Sequence, residues 1–254
     1  MTDTALLAGR VALVTGSAGR GMGRSTALTL ARDGADIVIN YGTHRDAPDD
    51  AAAVARAVEA FGRRALVCKA SVVQPDEVKA MVEQAIAAFG RLDILVNNAG
   101  GGWRLADLPD IADERWRAVV QAEIDGAFYP IKYALPHMRR QRWGRIVNIC
   151  GFRNEAWDGP PYDYMAGKVG RLQLTRQLVE NERRHGITVN AVCPGTIDGL
   201  DFDAAQALTR HSGDWPDREW PTPQDTAEVI AFLCSEAGRF VSGSVIGIPG
   251  RAKR

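Results

Sequence analysis

Tyr164 and Lys168 stand four residues apart in the run YMAGK (164–168), so a helix would place them on one face. A lysine ammonium beside a phenol favours the phenolate and lowers the pKa of the tyrosine. Such a phenol can give a proton to a carbonyl oxygen or take one from an alcohol. Tyr162 lies six residues before Lys168 and falls off that face. A second stretch, TGSAGRGMGRSTA (15–27), carries four glycines between a β-branched run and a helical pattern. Glycines let a backbone approach a phosphate closely, and a helix N-terminus offers free N–H groups and the positive end of its dipole. Strand, glycine turn and helix together form the context in which such a loop binds a dinucleotide. The cysteines Cys68, Cys150, Cys193 and Cys234 are widely separated with no CxxC pair, so neither a zinc site nor dithiol chemistry has a motif, and no metal is expected. In runs such as ALVC and NAVC they read as small buried hydrophobes.

The elements that must hold these groups alternate along the chain. Short apolar runs at 10–16, 36–41, 64–70, 92–100, 144–150, 187–195 and 243–248 read as strands apolar on both faces, as in a parallel sheet covered by helices. Between them lie amphipathic segments. In 24–33, Ala27, Leu28, Leu30 and Ala31 form an apolar stripe and Gly34 ends the helix. The alternation predicts an α/β fold, a doubly wound parallel sheet of about seven strands with helices on both faces. No linker or repeat interrupts it, so residues 1–254 read as one domain. The long polar stretch at about 196–222, with Trp215, Trp220 and two prolines, reads as a substrate lid.

Acidic and basic residues cancel at 31 each, so no global field draws in nucleic acid or an anionic membrane. The N-terminus has an early acid, Asp3, and no long apolar run, unlike a signal peptide. No window reaches the roughly 18 apolar residues of a spanning helix. A reducing cytoplasm is the expected location.

The motif set TGSAGRGMG, NNAG (97–100), YMAGK and NAVCPG (190–195), in this order and at these distances, resembles the short-chain dehydrogenase/reductase family over nearly the whole chain. The resemblance implies a Rossmann-type fold that binds a nicotinamide dinucleotide. It assigns the cradle to Gly16, Ser17, Arg20, Gly21, Met22 and Gly23. Ser71 and Val72 with Asn98, Ala99 and Gly100 would line the adenosine side, and Pro194, Gly195 and Ile197 the nicotinamide end. Tyr164 would be the acid, and Lys168 would tune it and hold the nicotinamide ribose. The family loop reads T-G-x3-G-x-G; here four residues separate Gly16 from Gly21, one extra, which Gly19 is expected to absorb with Arg20 facing a phosphate.

Where an NAD enzyme of the family has Asp at the end of its second strand, this chain has Tyr41, followed by Gly42, Thr43, His44 and Arg45. A missing carboxylate removes repulsion toward a 2′-phosphate, and Arg45 or Arg20 could pair with it. The expectation is NADP(H) over NAD(H).

Two catalytic positions depart from the family pattern. Gly151 stands where a serine usually lies, thirteen residues before the tyrosine, and Glu123 stands where an asparagine usually lies on the long fourth helix. Loss of an oxyanion donor typically costs about 10²–10³ in rate. Arg153 or Asn154 could replace it, with Cys150 buried at the strand end. Glu123 either pairs with Lys168, directly or through water, or acts as a new acid–base group; pairing is the preferred reading. Trp103, Gly151, Arg153, Asn154 and Trp157, with the lid tryptophans, would shape the substrate pocket. The leading reading is an NADP(H)-dependent oxidoreductase acting on the carbonyl or alcohol of a bulky or aromatic small molecule. The alternatives are a family member repurposed for lyase, cyclase or isomerase chemistry, and a non-catalytic nucleotide-binding protein. Long helices at about 112–141 and 162–184 are those through which the family assembles dimers or tetramers.

Overall fold

The computed structural model describes residues 5–42, 48–151, 161–210 and 220–249. Seven strands, β1 (Val11–Val14), β2 (Asp36–Tyr41), β3 (Ala65–Lys69), β4 (Ile94–Asn97), β5 (Gly144–Ile149), β6 (Ile187–Pro194) and β7 (Val245–Ile248), form one sheet in the order β3-β2-β1-β4-β5-β6-β7. All six pairings are parallel. The helices are α1 (Met22–Arg32), α2 (Pro48–Glu59), α3 (Pro75–Phe89), α4 (Asp113–Gln141), α5 (Tyr162–Arg183), α6 (Phe202–Arg210) and α7 (Pro223–Cys234).

The two-residue period of a strand sorts its side chains between two cores. Ala12, Val14, Ile37 and Ile39 enter one cluster with α1, α2 and α7, whereas Val11, Leu13 and Val38 enter the other with α3 and α4. Helices therefore cover both faces. The strand order reverses between β1 and β4, and the carboxyl ends there open the crevice in which such sheets bind ligands.

Two expectations need correction. The outer strands are not apolar on both faces: β3 is half-exposed along most of its length, with Val67 39% accessible, because an edge strand lacks a neighbour and full helix cover. Nor is α1 buried only along a stripe. Every residue from Gly23 to Ala31 is buried, including Arg24, Ser25, Thr26 and Thr29, because α6 and α7 pack against it as well as the sheet. The helix stops at Arg32 and Gly34 turns the chain with φ 103°. The stretch expected to be a lid contains α6, and its residues 211–219, Trp215 among them, lie outside the described residues.

Candidate active site

The glycine loop is braced from two sides. Thr15 follows β1, and its hydroxyl accepts the N–H groups of Asn98 and Ala99, each at 3.0 Å. The Asn98 amide in turn donates to the carbonyls of Thr15 (2.9 Å) and Gly16 (3.0 Å). From the other side, Asn40 on β2 accepts the Gly16 N–H at 3.1 Å and donates to the Ala70 carbonyl at 3.0 Å. Asn98 and Ala99 thus commit these groups to the loop itself rather than leaving them for a ligand. Asn40 was absent from the sequence expectations; its only signal was a polar residue inside the apolar run DIVINY.

Gly16 adopts φ 62°, the left-handed region that glycine enters freely. The N-terminus of α1 presses on it: a Cβ on Gly23 would meet the Gly16 carbonyl oxygen at 2.3 Å. The extra residue does not place Gly19 in a left-handed conformation; Gly19 forms part of a half-buried bend beside buried Ala18. Arg20 is exposed at the outer edge, where its carbonyl accepts the Leu200 N–H at 2.9 Å and so ties the loop to the chain after β6.

A dinucleotide fits this cradle. Ser17 Oγ is buried without a hydrogen-bond partner, a Cβ on Gly21 would meet open space, and α1 begins with neither a side-chain cap nor an acidic residue in its first turn. An anion supplies what such an uncapped N-terminus lacks. Around it, Tyr41 is half-buried at the end of β2, with no carboxylate at that position. Glu77 accepts the Ser71 N–H at 2.7 Å, and Val72 leans on α4 at Gly126. Beyond Pro194, the Gly195 N–H is held by the Ile248 carbonyl at 2.8 Å and Ile197 packs on the core. Thr43 and Arg45 lie outside the described residues.

The second half of the site is built on α4 and α5. Lys168 Nζ lies 5.1 Å from the centre of the Tyr164 ring. The Lys168 ammonium is buried and turned inward, donating to the Ile149 carbonyl at 3.0 Å and approaching Glu123 Oε2 at 3.0 Å. Glu123 is fully buried, and its Oε1 accepts the Gly101 N–H at 2.8 Å. The direct Glu123–Lys168 contact expected from the sequence is thus present. Glycines make room for it: a Cβ on Gly100 would lie 2.4 Å from Glu123 Oε1, and one on Gly167 would lie 2.5 Å from its Cβ. Burial pushes the Lys168 pKa below its ordinary value; the Arg171 guanidinium pushes the same way and Glu123 opposes both.

Sequence reasoning missed Arg171, which lies on α5 three residues beyond Lys168 and seven beyond Tyr164, on the same face. That spacing was the available signal. It is among the largest fully buried side chains in the described chain. Its Nη2 lies 3.1 Å from Glu123 Oε2, so two cations flank one carboxylate oxygen. Also missed was the clamp under Tyr164: buried Asp163 accepts the Tyr164 N–H at 2.9 Å and pairs with Arg115 of α4 at 2.8 Å.

Gly151 sits beside this group, and a Cβ there would touch the Lys168 stem and Met165 Sδ at 3.4 Å. Cys150 is buried at the end of β5 as expected, and all four cysteines are free and buried. The Cys193 thiol lies against Cys150, and that contact together with burial pushes the Cys193 thiol above the usual thiol range. Of the expected pocket residues, Trp103 lies on the loop after β4 and is 46% exposed, while Arg153, Asn154 and Trp157 lie outside the described residues. Trp220 is half-buried and helps line an open cavity of about 130 Å³ with residues 196 and 198–200. Among the described residues, no cluster of His, Cys, Asp and Glu could hold a metal ion, and no helix is long and apolar enough to cross a membrane.

Comparison with known proteins agrees with this architecture. A family model described as enoyl-(acyl carrier protein) reductase matches residues 16–250. The chain is 35% identical over 241 residues to 3-oxoacyl-(acyl-carrier-protein) reductase FabG of Staphylococcus aureus, covering 94% of this chain and 96% of that one. It is 37% identical over 246 residues to cis-4-hydroxycyclohexanecarboxylate dehydrogenase of Sinomonas cyclohexanicum, covering 95% of each. A crystal structure of a dehydrogenase/reductase from Sinorhizobium meliloti superposes with a TM-score of 0.81 at 32% identity, covering 97% of this chain and 96% of that one. The chain belongs to the short-chain dehydrogenase/reductase family of oxidoreductases.

Proposed function

We propose that this protein is an NADP(H)-dependent oxidoreductase that reduces the carbonyl of a bulky or aromatic small molecule, or oxidises the corresponding alcohol. The observation that carries the reading is the placement of Tyr164 with Lys168 beside it, on the helix that follows the strand next to the braced glycine loop's own neighbour, β4. The nicotinamide supplies or accepts the hydride. Gly16, Ser17, Gly21, Met22 and Gly23 would hold the pyrophosphate, with Arg20 at the rim. Tyr41 in place of a carboxylate would favour the 2′-phosphate, and Thr43 and Arg45 are the residues proposed to bind it.

Tyr164 would give its phenolic proton to the substrate carbonyl oxygen, or take it back from the alcohol. Lys168 has three N–H donors; one goes to the Ile149 carbonyl, the ammonium ion-pairs with Glu123, and the remaining donors would be left for the ribose and the phenol. Glu123 holds the ammonium charged in a place where burial disfavours it. Gly151 offers no hydroxyl to the reacting oxygen, and Arg153 or Asn154 would replace that donor only in part. Trp103 and Trp220 would help shape the pocket of a one-domain molecule. The tyrosine–lysine spacing of four supports carbonyl chemistry over the enoyl reduction named in the family model's description. The relatives named for 3-oxoacyl and hydroxycyclohexane substrates act on a carbonyl–alcohol couple in keeping with this choice. The free, buried cysteines suit a reducing cytoplasm.

The test is NADPH oxidation across a panel of ketones and aldehydes. Turnover that falls by at least a thousandfold in Tyr164→Phe supports the reading. Product formed without NADPH consumption points to a repurposed, non-redox family member, and tight NADPH binding with no chemistry on any substrate points to a non-catalytic protein.

A further inference from the structure

The guanidinium of Arg171 has five N–H groups in a rigid plane, and its hydrogen bonds all go to backbone carbonyls. Nε donates to the Glu123 carbonyl at 2.8 Å. Nη1 donates to the Asn97 carbonyl at the end of β4 and to the Ile149 carbonyl at the end of β5, each at 3.1 Å. Nη2 donates to the Ala99 carbonyl at 2.8 Å and to the Ala122 carbonyl at 3.5 Å, and it ion-pairs with Glu123 Oε2 at 3.1 Å without a hydrogen bond to that oxygen. One buried side chain therefore joins the middle of α4 to the ends of two central strands.

Two of these acceptors are shared with Lys168. The Ile149 carbonyl takes Lys168 Nζ at 3.0 Å and Arg171 Nη1 at 3.1 Å. Glu123 Oε2 faces the same two groups at 3.0 and 3.1 Å. Packing alone would not call for this arrangement, since well-packed hydrophobic residues often stabilise an interior as well as buried ions do. An arginine sharing both acceptors of the site lysine controls where that lysine's charge rests.

We propose that Arg171 is a positioning residue for Lys168, fixing the ammonium beside Tyr164 by holding the carboxylate and the carbonyl that the ammonium also binds. The proposal rests on the reading of Tyr164 and Lys168 as the acid–base pair. Its electrostatic consequence has two signs. Glu123 stabilises the ammonium, so its removal makes Lys168 lose its proton at lower pH. Arg171 is a like charge, so its removal lets Lys168 keep its proton to higher pH. The other titratable groups near Lys168 are Cys150 and Cys193 from the strand ends and Tyr164 on its own helix. They are unchanged in the variants below.

The experiment follows the Lys168 side chain by ¹³C NMR through a pH titration of the cofactor-free protein, with Lys168→Ala to assign the signal. The expected result is a midpoint lowered by about one pH unit or more in Glu123→Gln, raised by a similar amount in Arg171→Met, and within a few tenths of the parent in Arg171→Lys. The double variant Glu123→Gln/Arg171→Met is expected to lose less thermal stability than the sum of its parts, and provides a folded comparison if either single variant is too weak. Lysine midpoints that coincide in all the variants, with additive stability losses, overturn the proposal whatever the activity does. Conversely, shifted midpoints in a protein that turns over no carbonyl with NADPH uphold the positioning role and overturn the functional reading. Where turnover is present, the alkaline limb of the reduction rate moves in the same directions.

Discussion

A serine at Gly151, the residue the family resemblance implies there, would add a single hydroxymethyl group to the site. A Cβ there makes contacts of 3.4 Å with the Lys168 stem and Met165, close to ordinary van der Waals distance, so a serine fits with little displacement. Gly151→Ser is expected to raise the turnover of carbonyl reduction by about tenfold or more, since one oxyanion donor is commonly worth that much. Steady-state kinetics check it, and an unchanged or lowered kcat would show that the donor is already supplied. Gly167 is the opposite case. A Cβ there would lie 2.5 Å from the Glu123 Cβ, so Gly167→Ala is expected to destabilise the protein by about 1–3 kcal/mol, read in a denaturant titration. Lys168 and Tyr164 were legible in the sequence because their spacing is local. The Glu123 partner was legible only through its place in the motif order. Arg171 was not found because its acceptors are backbone carbonyls on three other elements, and no sequence pattern marks a carbonyl.

Among the elements, the glycine loop depends on neighbours more than on its own residues. Asn98 contributes two side-chain donors to the loop carbonyls and its own N–H to Thr15. Asn98→Ala removes the two side-chain bonds, each worth about 1 kcal/mol. It is expected to weaken NADPH binding by about tenfold or more. Titration calorimetry checks this, and unchanged affinity would mean that the loop holds its shape without the brace. Strands and helices were legible as elements from hydrophobic period alone. What was not legible was their environment. Helix α1 reads as a one-sided stripe, yet α6 and α7 bury its polar side as well, and β3 reads as two-sided, yet it ends the sheet. Both depend on which elements pack alongside, which a local period does not encode.

Over the whole molecule, the parallel order of seven strands follows from alternating strand and helix, and the crevice at the reversal between β1 and β4 follows from that order. Outside the crevice, Trp116 and Phe128 on α4 and Val169 on α5 remain 39, 42 and 60% exposed. A homodimer or homotetramer that buries this face is the expected assembly. Light scattering on a sizing column is expected to give a multiple of the 27.5 kDa chain, with Val169→Glu shifting the population toward smaller species. A monomer in both would contradict it. The chemistry proposed for this fold is delivery of a hydride from a nicotinamide and a proton from Tyr164 to one carbonyl. The most direct measurement uses NADPH deuterated at nicotinamide C4, in separate preparations for each face, with a carbonyl substrate found in the panel. One deuterium is expected on the former carbonyl carbon with one of the two preparations, together with loss of product in Tyr164→Phe. Product that carries no deuterium from either preparation would contradict it.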